Sequence, residues 1–231
     1  MIGRTRSILD RELASLQEKL IQLGDMVDTA IDQSVQALTS RNVELAQEVI
    51  TNDRNINVLR YEIERETLRV LATQQPTAID LRMVLVATHL AIELERIGDH
   101  ASGIARITER LDEHDEIESF HKIPKMANRV RTMLRDSIQS YATADTELAN
   151  KIFQADEKVN KQNAKLFEKS LDTIENDTYI RRATYLIWVG HNLERMGDRV
   201  KNIAERVIFM VNGEFVEIVP PDLQEEQDIG G

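Results

Sequence analysis

Leu94-Glu95-Arg96-Ile97-Gly98-Asp99 recurs 99 residues further on as Leu193-Glu194-Arg195-Met196-Gly197-Asp198. A second block, Val49-Ile50-Thr51-Asn52-Asp53-Arg54-Asn55-Ile56-Asn57, returns after 103 residues as Ile152-Phe153-Gln154-Ala155-Asp156-Glu157-Lys158-Val159-Asn160. The chain is therefore two related halves. A period of about 100 residues is too long for one unit of a solenoid.

Around these blocks apolar residues recur at steps of 3 and 4, the signature of amphipathic helices. The first segment, about residues 7–39, carries Leu9, Leu13, Leu16, Leu20, Leu23, Val27, Ile31, Val35 and Leu38. The second, about 43–73, carries Leu45, Val49, Ile56, Leu59, Ile63 and Val70. The third begins near Thr77-Ala78-Ile79-Asp80, a capping-box pattern, and runs through Leu81, Leu85, Ile92 and Ile104 to about Leu111. Three more segments follow, at about 125–143, 145–174 and 178–210, and Gly213 closes the last. Prolines 76, 124, 220 and 221 fall where the periodicity lapses, as expected of residues that break helix interiors.

The predicted fold is all-α: two tandem, sequence-related three-helix bundles made of six long antiparallel helices. Residues 1–115 form the first bundle, with a polar acidic linker from Asp112 to Lys122. Residues 116–213 form the second, and 214–231 are a loose acidic tail. Helices of about 30 residues are about 45 Å long, so each bundle is expected to be a rod.

Composition narrows the function. The 231 residues carry a net charge of −11, which disfavours nucleic acid and anionic membranes, since both are bound through clustered Lys and Arg. There is no cysteine, hence no disulfide framework, thiolate metal site or cysteine nucleophile. The first residues show no signal-peptide core and no apolar run approaches ~20 residues, so a cytoplasmic protein is expected. Phosphate loops, nucleophile elbows and HExxH motifs are absent.

What remains is a set of carboxylates on apolar stripes. Asp53 lies between Val49 and Ile56, and Asp156 between Ile152 and Val159. Glu95 and Asp99 continue the stripe Leu85, Thr88, Ile92 and share one helix face at i, i+4. With the turn between helices two and three centred near Gln75, Asp53 stands 22 residues before it, and Glu95 and Asp99 stand 20 and 24 after it. In an antiparallel hairpin these residues sit at one level. With the second turn near Asn176, the same holds for Asp156, Glu194 and Asp198. Asn57 and Asn160 lie one turn from the aspartates.

Three converging carboxylates in a partly buried seam call for a cation. An all-oxygen set suits Mg, Mn, Fe or Ca, with Zn possible through carboxylates. The competing reading is ion pairing with arginines, although Arg96, next to Glu95, points elsewhere on its helix. Gly98 and Gly197 would admit a close neighbour. His89, His100 and His191 are scattered, with His191 three residues before Glu194. Arg181-Arg182 and Arg195 with Arg199 are candidates for an anion or for solvated faces.

At these residues the sequence resembles the PhoU family of phosphate-transport regulators. The resemblance rests on the two E/D-x-x-x-D motifs, Glu95 to Asp99 and Glu194 to Asp198, and on Gln75-Pro76-Thr77-Ala78-Ile79-Asp80-Leu81-Arg82. It spans about residues 7–213. It implies a cytoplasmic negative regulator of phosphate uptake and of the phosphate-starvation response. Its implied partners are a sensor histidine kinase and the ATPase of a phosphate ABC transporter. It also implies multinuclear iron or zinc sites on the bundle surfaces. A homodimer or higher homo-oligomer is the expected assembly. The other reading is a carboxylate-bridged di-metal enzyme or metal-storage protein of ferritin-like type. Those sites need Glu-x-x-His motifs on facing helices, and the only one here is Glu118-Ser119-Phe120-His121 in the linker.

Overall fold

The computed structural model describes residues 2–111, 122–172 and 177–215. Six helices account for nearly all of them: α1 (Ile2–Ser40), α2 (Val43–Gln74), α3 (Ile79–Arg110), α4 (Ile123–Thr143), α5 (Thr146–Asp172) and α6 (Asp177–Asn212). No strand occurs among the described residues. Helices α1, α2 and α3 pack into one bundle, and α4, α5 and α6 into the other.

The bundles lie side by side, with α3 against α6 and α1 against α4. One apolar core runs through both, including Leu16, Leu20, Leu23, Leu94, Val130, Met133, Val200 and Ile203. Each such side chain contributes roughly 1.5–3 kcal/mol by leaving water. Gly24 lets α1 approach α4, because a Cβ there would lie 2.9 Å from Ile138 Cγ1. Beside it, Arg131 on α4 grips Asp28 on α1 through two hydrogen bonds of 3.0 and 2.9 Å and also bonds Asp32. Arg135 adds a third bond to Asp28, at 2.8 Å.

Helix ends follow local chemistry. Asn42 Oδ1 accepts from the Leu45 amide and Asp145 Oδ1 from the Leu148 amide, both at 2.9 Å. Both satisfy a free N-terminal donor. Gly213, at φ +80°, ends α6 with its amide on the Phe209 carbonyl.

Four expectations need correction. The capping box at Thr77 does not form. Ala78, at φ 45°, is the residue before α3 and no side chain caps that end. The Asp80 amide bonds the Thr77 backbone carbonyl instead. Pro124 lies inside the first turn of α4, where a missing amide costs nothing. The tail is not loose from Glu214, because the Phe215 ring stacks on Phe209 with centroids 4.2 Å apart. Last, Leu81 and Leu85 belong to the outer face of α3 and are 37% and 43% exposed. The buried stripe is Val84, Ala87, Leu90, Ala91, Leu94 and Ile97. Of the linker, Asp112 to His121 lies outside the described residues, as do the turn at 173–176 and the tail from 216.

Candidate metal centre

In each half the hairpin of two long helices brings an aspartate against the motif glycine. In the second half, Asp156 on α5 is 4% exposed and its Oδ1 has no hydrogen-bond partner among the described residues. That oxygen lies 3.0 Å from where a Cβ of Gly197 would stand. In the first half, Asp53 on α2 is half-buried, its Oδ1 is likewise without a partner, and the corresponding distance at Gly98 is 3.6 Å. The neighbours these glycines admit are thus side chains and not a backbone: Asp156 at Gly197, and Ile56 ahead of Asp53 at Gly98.

The remaining acids stand around these two. Burial raises the Asp53 carboxyl above its ordinary range, the negative charge of Asp99 raises it further, and Arg106 opposes them. Burial likewise raises Glu95, helped by Asp99 and Asp53 and opposed by Arg60. Asp156 is pushed up to about 6, by burial first and then by Asp198, with a smaller push from Glu194. Lys201 and a hydrogen bond from Asn160 act the other way. Like-charged carboxyls raising one another in a seam are the electrostatic mark of a site that a cation would relieve.

The asparagines differ between the halves. Asn57 donates to the Asp53 backbone carbonyl at 3.2 Å, an intrahelical bond. Asn160 donates to Asp156 Oδ2 at 3.4 Å, and its own Oδ1 is buried without a partner. Asn160 is therefore placed to offer a free oxygen beside Asp156, whereas the Asn57 amide nitrogen is turned back onto its own helix.

The ion-pair reading is met at one position. Arg195 reaches Asp198 across one helical turn, Nη1 to Oδ2 at 3.3 Å. Arg195 is exposed and Asp198 half-buried, and the bond is long, so the pair is weak. Arg199 is spoken for by Glu93 at 3.4 Å, so the arginines at 195 and 199 face acids and not an anion. His191 Nδ1 stands 3.5 Å from Glu194 Oε2.

The donor chemistry fits a hard or borderline cation: carboxylates, an asparagine oxygen and two orphaned buried oxygens. As the side chains stand, no three Asp, Glu or His groups among the described residues converge tightly enough to ligate a single ion. Closing a site therefore requires side chains to rotate: Asp99 is exposed and free to do so, and Asp198 is half-buried and would have to leave Arg195.

Two neighbours escaped the sequence reading. Asn163 Nδ2 donates to Glu194 Oε2 at 2.9 Å. Its counterpart by the 103-residue repeat is Arg60, the cation acting on Glu95. The signal was available: Asp156, Asn160 and Asn163 follow one another at helical steps of 4 and 3. A cleft of about 340 Å³ between α1 and α2 also opens onto Asp53 and Gly98, lined by Gln22, Asp25, Thr29 and Asn55 among others.

Several known proteins similar to this chain share a family. The family model described as the PhoU domain matches residues 20–108 and again 123–207. An accessory protein of the phosphate-specific transport system from Aquifex aeolicus, a PhoU homologue, is 37% identical, covering 90% of this chain and 95% of its own. The corresponding protein of Clostridium acetobutylicum is 30% identical over 93% of this chain and 99% of its own. The crystal structure of the phosphate transport system regulatory protein PhoU from Streptococcus pneumoniae superposes with a TM-score of 0.85 at 28% identity. It covers 91% of this chain and all of that one. PhoU from Pseudomonas aeruginosa gives 0.84 at 32%, covering 89% and 99%. Two domain matches that coincide with the two carboxylate hairpins, and relatives aligned along nearly their whole length, place this chain in the PhoU family of phosphate-transport accessory proteins.

Proposed function

We propose that this chain is a metal-binding regulatory adaptor of phosphate homeostasis with no catalytic chemistry of its own. In this reading it is cytoplasmic and acts as a homodimer or higher homo-oligomer. It restrains phosphate uptake and the phosphate-starvation response by docking on a sensor histidine kinase and on the ATPase of a phosphate ABC transporter. Among the described residues no helix is long and apolar enough to cross a membrane.

The observation that carries the metal part is the orphaned oxygen of Asp156 beside Gly197, repeated at Asp53 and Gly98. Burying an acceptor with no partner costs ~1–3 kcal/mol, and a bound cation would remove that cost at both places. Asp53, Glu95 and Asp99 would hold an ion in the first half. Asp156, Asn160, Glu194 and Asp198 would do so in the second, with Asn57 needing to turn its amide to join. Iron or zinc is the expected metal, and Mn or Mg also suits the oxygen donors.

The test is metal analysis of protein purified without added metals, set beside a phosphate-starvation reporter in cells. Bound metal, and a reporter that stays off in high phosphate only when the chain is present, are the expected results. Metal-free protein that takes up no added ion would overturn the metal part. A di-metal enzyme of ferritin-like type requires histidine ligands on facing helices. The Glu118 to His121 motif lies outside the described residues, and among the described residues the histidine that reaches a motif acid side chain is His191, at Glu194 in the second half. Oxygen-dependent turnover by an iron-loaded sample would favour the enzyme.

A further inference from the structure

Four side chains that flank the motifs join the two motif helices through polar contacts. His100 Nδ1 lies 3.0 Å from Asn192 Oδ1, and Arg199 Nη1 lies 3.4 Å from Glu93 Oε2. His100 follows Asp99 by one residue, and Arg199 follows Asp198 by one. Glu93 precedes Glu95 by two, and Asn192 precedes Glu194 by two. The 99-residue repeat therefore carries one contact onto the other.

Seven residues back along α3 is matched by seven forward along α6. A further eleven each way gives the Arg82 Nε bond to the Met210 carbonyl at 3.1 Å. This is the pattern of an isologous interface, here inside one chain. Its quasi-two-fold axis passes between α3 and α6 at the middle of both motifs. A two-fold that exchanges antiparallel helices is perpendicular to both and returns each broad face of the pair to itself. The same two-fold carries one carboxylate site onto the other across the α3–α6 seam.

We propose that His100, Asn192, Arg199 and Glu93 are positioning residues that clasp α3 to α6 and couple the two carboxylate sites, so that filling one changes the ion affinity of the other. The proposal rests on the metal reading above. Successive side chains of a helix project about 100° apart, so Asp99 and His100 leave α3 in different directions from adjacent positions. An ion drawing Asp99 toward Asp53 displaces the same turn of α3 that grips Asn192. Asn192 is held in turn: its Nδ2 donates to the Trp188 carbonyl at 2.8 Å. That fixes its oxygen toward His100 and requires His100 to carry its proton on Nδ1. The Arg199 arm has room to tighten, since its bond is long and its buried Nε has no partner among the described residues. Packed interiors pass small displacements on instead of absorbing them.

The experiment is a Mn(II) titration of the full chain at 0.15 M salt, with free ion counted by electron paramagnetic resonance. Glu95→Ala with Asp99→Ala and Glu194→Ala with Asp198→Ala each leave one half competent. Independent sites would make the unaltered isotherm the sum of these two. The expected result is a departure of about fivefold or more in one apparent affinity. In a His100→Ala, Arg199→Met background that departure should vanish, while His100→Asn, which keeps a donor for Asn192, should retain it. Asn192→Ala, which removes a single contact, repeats the test should the double variant lose its helical circular dichroism. An isotherm equal to the sum overturns the proposal, as does a departure that survives loss of the clasp. No Mn(II) uptake by any variant overturns the metal reading itself, and this inference with it.

Discussion

Gly197 leaves open the space that Asp156 fills: a Cβ on Gly197 would stand 3.0 Å from Asp156 Oδ1 and 3.6 Å from Val159 Cγ1. At Gly98 the tightest neighbour is instead Ile56 Cδ1 at 3.0 Å, with Asp53 Oδ1 at 3.6 Å. The same glycine thus shields a carboxylate in one half and mainly an isoleucine methyl in the other. Gly197→Ala gains up to ~1 kcal/mol of helix propensity but pushes Asp156 off its position. We expect little loss of thermal midpoint with a clear loss of Mn(II) affinity in the second half. Gly98→Ala, which meets a movable methyl group, should weaken the first half less. Titrating each change in a chain whose other half is disabled checks this ordering.

Asp156 sets a pH dependence. Its carboxyl titrates near 6 in the folded protein against 3.8 as its ordinary value. A folded-state pKa raised in an acid favours the neutral form, so folding stability falls as pH rises from about 4 to about 6 and stays lower above. The size is on the order of 2–3 kcal/mol. Metal-free protein should therefore lose thermal stability across that window, and Asp156→Asn should remove most of the loss. Saturating Mn(II) should offset it at pH 7 in the unaltered chain but not in Asp156→Asn. Thermal melts from pH 4 to 8, with chelator and with ion, give the comparison.

Much of this was legible in the residues. The six helices follow from steps of 3 and 4 between few breakers, and the levels of Asp53 and Asp156 follow from counting out from the turns. Other features depend on which helix packs on which. Helix α3 touches α1, α2 and α6 at once, so it carries apolar residues nearly all round. Periodicity alone could not tell that Leu81 and Leu85 face outward. The contacts of His100 with Asn192 and of Arg199 with Glu93 cross from one repeat to the other, and no spacing within a repeat reveals them. Arg195 with Asp198 follows from the i, i+3 rule, since the two stand one helical turn apart.

The junction between bundles gives a separate prediction. Burial alone would raise Asp28, but hydrogen bonds from Arg131 and Arg135 outweigh it and hold the carboxyl below its ordinary range. Arg131 and Asp28 are each only 16% exposed. Arg131→Met keeps the bulk and removes the charge, leaving Asp28 to Arg135 alone. We expect a cost of about 1–3 kcal/mol, or ~2–4 °C of midpoint per kcal/mol for a chain of this size. A lowered acid pKa stabilises above the unfolded value and is lost as pH falls below about 4. The variant should therefore lie closest to the unaltered protein in acid, which melts at pH 3 and pH 7 would show.

The last prediction separates the metal from the fold. Glu95→Ala with Asp99→Ala removes two first-half acids together with their mutual repulsion. Leu90, Leu94, Ile97 and Ala101 remain fully buried beneath them, so α3 should keep its packing. The orphaned oxygen of Asp53 also loses Asp99, the negative neighbour that raises it. Circular dichroism and the thermal midpoint should therefore stay near those of the unaltered chain, while first-half metal is lost and the second half keeps its ion. Under the regulatory reading, phosphate-starvation genes should then be expressed in high phosphate. A folded variant that loses the ion yet represses normally would show that signalling does not need the first site. An unfolded variant would show that these carboxylates hold the hairpin together, a role their outward position on α3 argues against.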